Sequence, residues 1–209
     1  QRNNYSSFSN NLREFVSSSQ NNKALTQYEF ATNLLIPYEG FNSSAVWDYG
    51  AWRIGYGSGT ITFDNGTYRT VKQGDTTNKT NAGKDLQRRV KEFEKKLINQ
   101  IGSKYWDPLN NNVKGALISI AYNYGGFIPS LTKTIEAIKT GNNEIIASTI
   151  EKETKNHNKS KPEKVRQALY NRRLKEAKII RESKQPAKNN IVLFGLPLIL
   201  LGVYLITKK

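Results

Sequence analysis

Two carboxylates nine residues apart, Glu39 and Asp48, are the residues best suited by type and spacing to do chemistry. They stand in Tyr38-Glu39-Gly40-Phe41 and in Trp47-Asp48-Tyr49-Gly50-Ala51-Trp52-Arg53-Ile54-Gly55-Tyr56-Gly57, where acids, rings and glycines interleave. Cleavage of a glycosidic bond needs such a pair. One carboxyl stays protonated to give its proton to the leaving oxygen, and the other stays ionised to manage water or the developing positive charge. Between Pro37, Tyr38 and Phe41, Glu39 is set for partial burial, which raises a carboxyl pKa and suits it to the acid role. Asp48, beside Trp47 and a glycine turn, is then the ionised partner. Taken alone, two acids at this spacing occur by chance in most chains, and Asp48 by itself reads more readily as a turn former.

The remaining composition narrows the chemistry. The 209 residues contain no cysteine and one histidine, His157, which excludes disulfides, thiolate metal sites and the histidine-based triads. No metal and no cofactor is expected. Thirty-two Lys and Arg against seventeen Asp and Glu give a formal net charge of +15. Such a balance suits nucleic acid, anionic lipid or the bacterial envelope as partner. The charge is spread in runs, as at Arg88, Arg89, Lys91, Lys95 and Lys96, without a nucleic-acid reading motif, so no nucleic-acid partner is expected.

The elements that must position the two acids follow from capping and periodicity. Thr26 and Glu29 form a Thr-x-x-Glu capping box that opens a helix carrying Phe30, Ala31, Leu34 and Leu35; Pro37 is expected to end it, leaving Glu39 in the following loop. From Ala51 to about Thr70, alternation of Trp52, Ile54 and Tyr56 and of Ile61 and Phe63, with Asn65-Gly66 as a hairpin turn, predicts a small antiparallel sheet. Beyond Asn81 the apolar spacing is helical: Leu86 to Ile101, Val113 to Tyr124, Leu131 to Ile138, Ile145 to Ile150 and Val165 to Ile180. The fold class is therefore α+β, mostly helical, one domain with accessory ends.

Those ends are an Asn- and Ser-rich arm with a short amphipathic helix over 1–23 and a polar linker over 184–190. A charge-free run, Ile191 to Ile206, then lies ahead of Thr207-Lys208-Lys209. A bilayer core takes about 20 apolar residues, with a lower limit near 17, so 191–207 just suffices for a single transmembrane helix with snorkelling lysines. The chain starts at Gln1 with no signal-like segment nearby, which suggests processing or excision from a longer precursor.

The run Glu39-Gly40, Asp48, Gly50-x-Trp52-x-Ile54-Gly55-Tyr56-Gly57 resembles the catalytic signature of the phage lysozymes, glycoside hydrolase family 24. Ala116-Leu117-x-Ser119-x-Ala121-Tyr122-Asn123-x-Gly125 is similar to that family's central helix, and Ala168-Leu169-x-Asn171-Arg172-Arg173-x-x-Glu176-Ala177 to its closing Arg-Arg-x-x-Glu helix. The resemblance implies a two-lobe fold over 24–183, a small antiparallel hairpin lobe and a helical lobe with a glycan cleft between. It also implies a muramidase that cuts the β-1,4 bond between N-acetylmuramic acid and N-acetylglucosamine of bacterial peptidoglycan, with Glu39 as general acid and Asp48 as second acid. The sequence departs from the family where a threonine is expected before Ile-Gly-Tyr-Gly and Arg53 stands instead. A guanidinium accepts no proton but can pair with Asp48; Ser58 or Thr60 can supply a hydroxyl in its place. The departure leaves hydrolysis ahead of a lytic transglycosylase outcome, with a non-catalytic peptidoglycan-binding or virion module as a further reading. Trp52, Tyr49 and Tyr56 are the rings expected to stack on sugars, Trp106 and Tyr124 are expected in the core, and Arg172 and Arg173 in structural ion pairs across helices. The terminal apolar run implies attachment to a viral or host membrane, as a virion protein of an internal membrane or penetration apparatus, with other virion proteins as partners, or at the host inner membrane.

Overall fold

The computed structural model describes residues 25–48, 50–127, 131–157 and 162–184. The 1–23 arm, Tyr49, the 191–207 apolar run and nearly all of the linker lie outside these described residues, as does the side chain of His157. Among the described residues no helix is long and apolar enough to cross a membrane.

Helix α1 (Gln27–Glu39) starts as the sequence predicts: Thr26 accepts from the Glu29 amide at 3.3 Å and the Glu29 carboxylate accepts from the Thr26 amide at 2.9 Å. It does not stop at Pro37. Pro37 and Asn33 both face solvent, so the Asn33 carbonyl that loses its amide partner is left to water, and the last turn continues to Glu39 before Gly40 turns the chain with φ 66°. Glu39 is therefore a residue of a helix turn rather than of a free loop, and its backbone is fixed.

The β region is two hairpins rather than one sheet. Strands β1 (Asn42–Asp48) and β2 (Ala51–Gly55) pair antiparallel, as do β3 (Thr60–Thr62) and β4 (Tyr68–Thr70), with a bridge between Ile54 and Ser58 connecting them. Strand β1, Asn-Ser-Ser-Ala-Val-Trp-Asp, was not predicted, because it is exposed along most of its length and carries no apolar alternation. Its register comes from β2 and from amide bonds to the β4–α2 loop, Ala45 to Asp75 and Thr77 to Ser43. The Asn65-Gly66 turn is present, with the Asn65 side chain accepting from Thr67.

Helix α2 (Lys79–Ile101) joins the hairpins to the helical part. Near its start Asp85 accepts from Thr60 at 2.9 Å and Thr62 at 2.7 Å; further along, buried Glu94 accepts from Gln27, Tyr28 and Trp106. The short α3 (Ser103–Trp106) buries Trp106, as expected. Helix α4 (Asn111–Tyr124) is the centre of the core. Val113, Ala116, Leu117, Ile118, Ile120 and Ala121 are all fully buried, which is why its sequence is apolar around most of its circumference. It is flanked by α1 and by α7 (Glu163–Glu182); α5 (Thr132–Lys139) packs on α6 (Asn143–His157), which closes the far side against α7. The architecture is a mostly helical α+β fold with small antiparallel hairpins.

Candidate active site

Three elements converge on Glu39. The end of α1 supplies the carboxyl itself. Helix α7 supplies Arg172, whose Nη1 is 3.7 Å from Glu39 Oε1, an ion pair too long for a hydrogen bond. The turn after β2 supplies Gly57, where a Cβ would stand 3.6 Å from Glu39 Oε2 at φ 67°. The absence of a side chain there keeps the second oxygen uncovered, so Glu39 faces a cation on one side and bare backbone on the other.

Arg172 is itself held from behind. Its Nε is 3.4 Å from Glu176 Oε1, which also accepts from Ser119 Oγ on α4 at 2.6 Å, and its guanidinium lies 4.5 Å over the Tyr38 ring. Arg173, fully buried, places Nε 2.9 Å from the other oxygen of Glu176 and lies over Tyr124, and burial pushes its pKa down. One buried carboxylate thus faces two guanidinium groups, a positive excess directed at Glu39. Arg89 on α2 adds to it while stacking 4.5 Å over Tyr122, whose hydroxyl burial pushes up to about 12.

Against those cations, burial dominates at Glu39. Its side chain is 22% exposed, and loss of water raises its pKa more than Arg172, and then Arg89, lowers it. A half-buried carboxyl that favours its protonated form is what a general acid requires.

Asp48 ends β1 and is exposed. The register Asp48 to Ala51 and Val46 to Arg53 puts Asp48 and Arg53 on one face of the hairpin as diagonal neighbours, while Trp47 and Trp52, directly paired, occupy the opposite face with their rings 5.4 Å apart at 72°. Arg53 and Asp48 form no ion pair, contrary to the expected pairing, because diagonal Cα positions are about 7–8 Å apart and the Arg53 guanidinium instead extends along the backbone to Gly59.

The remaining expected site residues divide. Tyr56 is buried against Phe41, ring centroids 5.6 Å apart, and belongs to the core rather than to a sugar-stacking surface. Trp52 packs edge-on with Trp47, away from Asp48. Ser58, 4% exposed, bonds to Thr60, and Thr60 bonds to Asp85 and Arg88, so both hydroxyls serve the joint between hairpin and α2. Sequence reasoning treated Arg172 as structural. It does pair across helices, but one of its acids is Glu39. The Arg-Arg-x-x-Glu spacing, which stacks Arg172 one turn from Glu176, was the available signal. Arg89 carried none beyond its place in a basic run.

A family model described as phage lysozyme matches residues 37–176. The chain belongs to the phage lysozyme family, and through it to the peptidoglycan-cleaving enzymes. The endolysin from Escherichia coli O157:H7 phage FAHEc1 is a similar solved structure, with TM-score 0.57 and 26% sequence identity over 78% of this chain and 98% of that one. The muramidase domain of SpmX from Asticaccaulis excentricus also matches, with TM-score 0.47 and 18% identity over 74% of this chain and 95% of that one. Comparison of the sequence with curated proteins gives no match.

Proposed function

We propose that this chain is a muramidase that hydrolyses the β-1,4 bond between N-acetylmuramic acid and N-acetylglucosamine, with Glu39 as general acid. The observation that carries the reading is the state of Glu39: half-buried, raised in pKa by that burial, and backed by Arg172 at 3.7 Å. In the forward step Glu39 gives its proton to the glycosidic oxygen. Arg172 then stabilises the carboxylate left behind, so the acid is reset without a large electrostatic penalty. Asp48, exposed at the end of β1, is the ionised partner that steadies positive charge at the anomeric carbon or orients water.

A lytic transglycosylase outcome is the second reading, favoured by one residue. Arg53 replaces the hydroxyl expected to hold the attacking water; Ser58 is committed to Thr60, and Thr60 to Asp85 and Arg88, rather than free to replace it. Mass spectrometry of fragments released from purified peptidoglycan separates the two. Reducing ends support hydrolysis and anhydro-muramic ends support transglycosylation. No release at any pH or salt would leave a binding module.

The proposal also includes attachment through 191–207 to a viral or host membrane, with the enzyme carried in the virion for cell-wall penetration. It rests on that charge-free run between the linker and Lys208-Lys209. Recovery of the full chain in the aqueous phase of a detergent partition, or its absence from purified virions, would overturn this part.

A further inference from the structure

Arg53 is set apart by what it lacks. Among the described residues it is the one arginine with no ion pair, hydrogen bond or ring contact, whereas Arg69, Arg88, Arg172, Arg173 and Arg181 each face a carboxylate and Arg89 covers Tyr122. It is not a freely solvated group either, being only partly exposed. Its guanidinium lies against the backbone of Gly59, where a Cβ would come within 2.8 Å of Nη1, so any side chain at position 59 would displace it. Glu39 approaches the same turn two residues earlier, at Gly57, where an added Cβ would lie 3.6 Å from its Oε2. With successive Cα atoms about 3.8 Å apart, the Glu39 carboxyl and the Arg53 guanidinium are at most roughly 17 Å from one another. Arg53 also shares its hairpin face with Asp48. A planar fork of donors without an acceptor thus stands on the hairpin face of Asp48 and on the turn that Glu39 approaches.

We infer that Arg53 binds a carboxylate of the substrate, carried on the muramic acid side of the strand. The inference rests on the muramidase reading for its ligand. An uncharged sugar offers only hydroxyls, which leave a guanidinium's charge unmet, whereas a carboxylate takes two parallel N–H donors. Peptidoglycan supplies that group at each muramic acid, on the peptide stem or, where the stem has been removed, on the lactyl ether itself. This also accounts for a guanidinium where the family has a hydroxyl: the position turns from holding water to holding substrate.

The test reads binding rather than turnover. The full chain carrying Glu39→Gln, in detergent, is sedimented with intact sacculi, with sacculi stripped of stems by an amidase, and with sacculi whose carboxyls are converted to amides. Arg53→Ala is compared with Lys164→Ala, which removes an equal charge from an exposed position on α7. One lost charged hydrogen-bond pair predicts about a tenfold weaker association for Arg53→Ala on intact sacculi, with partial rescue by Arg53→Lys, and little difference on amidated sacculi. Loss on intact sacculi assigns the stem carboxylate, since the lactyl carboxyl is there tied up in its amide bond to the stem, and loss on stripped sacculi assigns the lactyl carboxylate that amidase cleavage frees. An Arg53→Ala deficit that equals that of Lys164→Ala, or that persists on amidated sacculi, overturns the inference. A wild type that binds in this pattern yet releases no fragments would instead defeat the muramidase reading alone.

Discussion

Glu39 Oε1 and Arg172 Nη1 are 3.7 Å apart across the junction of α1 and α7, close enough for attraction and too far for a hydrogen bond. Arg172 therefore tempers the acid without clamping it. Because burial raises the Glu39 pKa and Arg172 lowers it, removing the cation lets it rise further. Arg172→Gln is expected to move the alkaline limb of the kcat/KM profile to higher pH, since the acid stays protonated longer. A limb that stays in place or moves down would show that Glu39 is not the titrating acid.

The same raised pKa has a stability consequence. A carboxyl whose folded pKa lies above its unfolded value, about 4.3 for Glu, supports the fold fully below the unfolded value and loses that support as pH rises through the folded one. Once pH has risen through the folded pKa the ionised Glu39 is thus a cost, which a permanently neutral glutamine avoids. Glu39→Gln is expected to melt at or above the wild-type temperature at pH 7, with the advantage vanishing below about pH 4. Thermal unfolding at the two pH values checks this.

Glu176 has a different part. It is 1% exposed and is the only carboxylate among the described residues paired with Arg173, which is 0% exposed. Glu176→Gln leaves a buried guanidinium without a counter-charge and is expected to cost about 3–5 kcal/mol in urea unfolding. A loss under about 1 kcal/mol would mean that water reaches Arg173.

Asp85 ties the hairpins to α2 through Thr60, Thr62 and Arg88. Asp85→Ala strands two hydroxyls and part of a guanidinium, at about 1–3 kcal/mol for each buried group left unmet. Amide exchange across β3 and β4 is expected to quicken several-fold while α4 and α7 keep their protection. Uniform acceleration would place the loss in the global fold instead.

How far the sequence carried the reading depends on whether a feature is local. The Thr26 to Glu29 capping box, the Asn65-Gly66 turn and the 3.6-residue periodicity of α2, α4 and α7 are set by near neighbours, and all were legible. The continuation of α1 past Pro37 was not, because it depends on Asn33 and Pro37 sharing the solvent face. Strand β1 was not either, since its register is imposed by β2 and by backbone bonds to the loop before α2. At the candidate site, the choice of Glu39 and Asp48 rests on residue type and resemblance. The pairing of Arg172 with Glu39 joins residues 133 positions apart, and no local pattern reports it. Tyr56 read as a sugar-stacking ring because it is an aromatic close in sequence to the two acids, yet packing against Phe41 draws it into the core.

The most direct test of the central claim is the rate at which purified peptidoglycan releases soluble fragments with the wild type and with Glu39→Gln, measured on protein shown to be folded by its melting transition. The account predicts release by the wild type and a loss of at least about a hundredfold in the variant, the scale of one general acid. A folded Glu39→Gln that cleaves at the wild-type rate would contradict it.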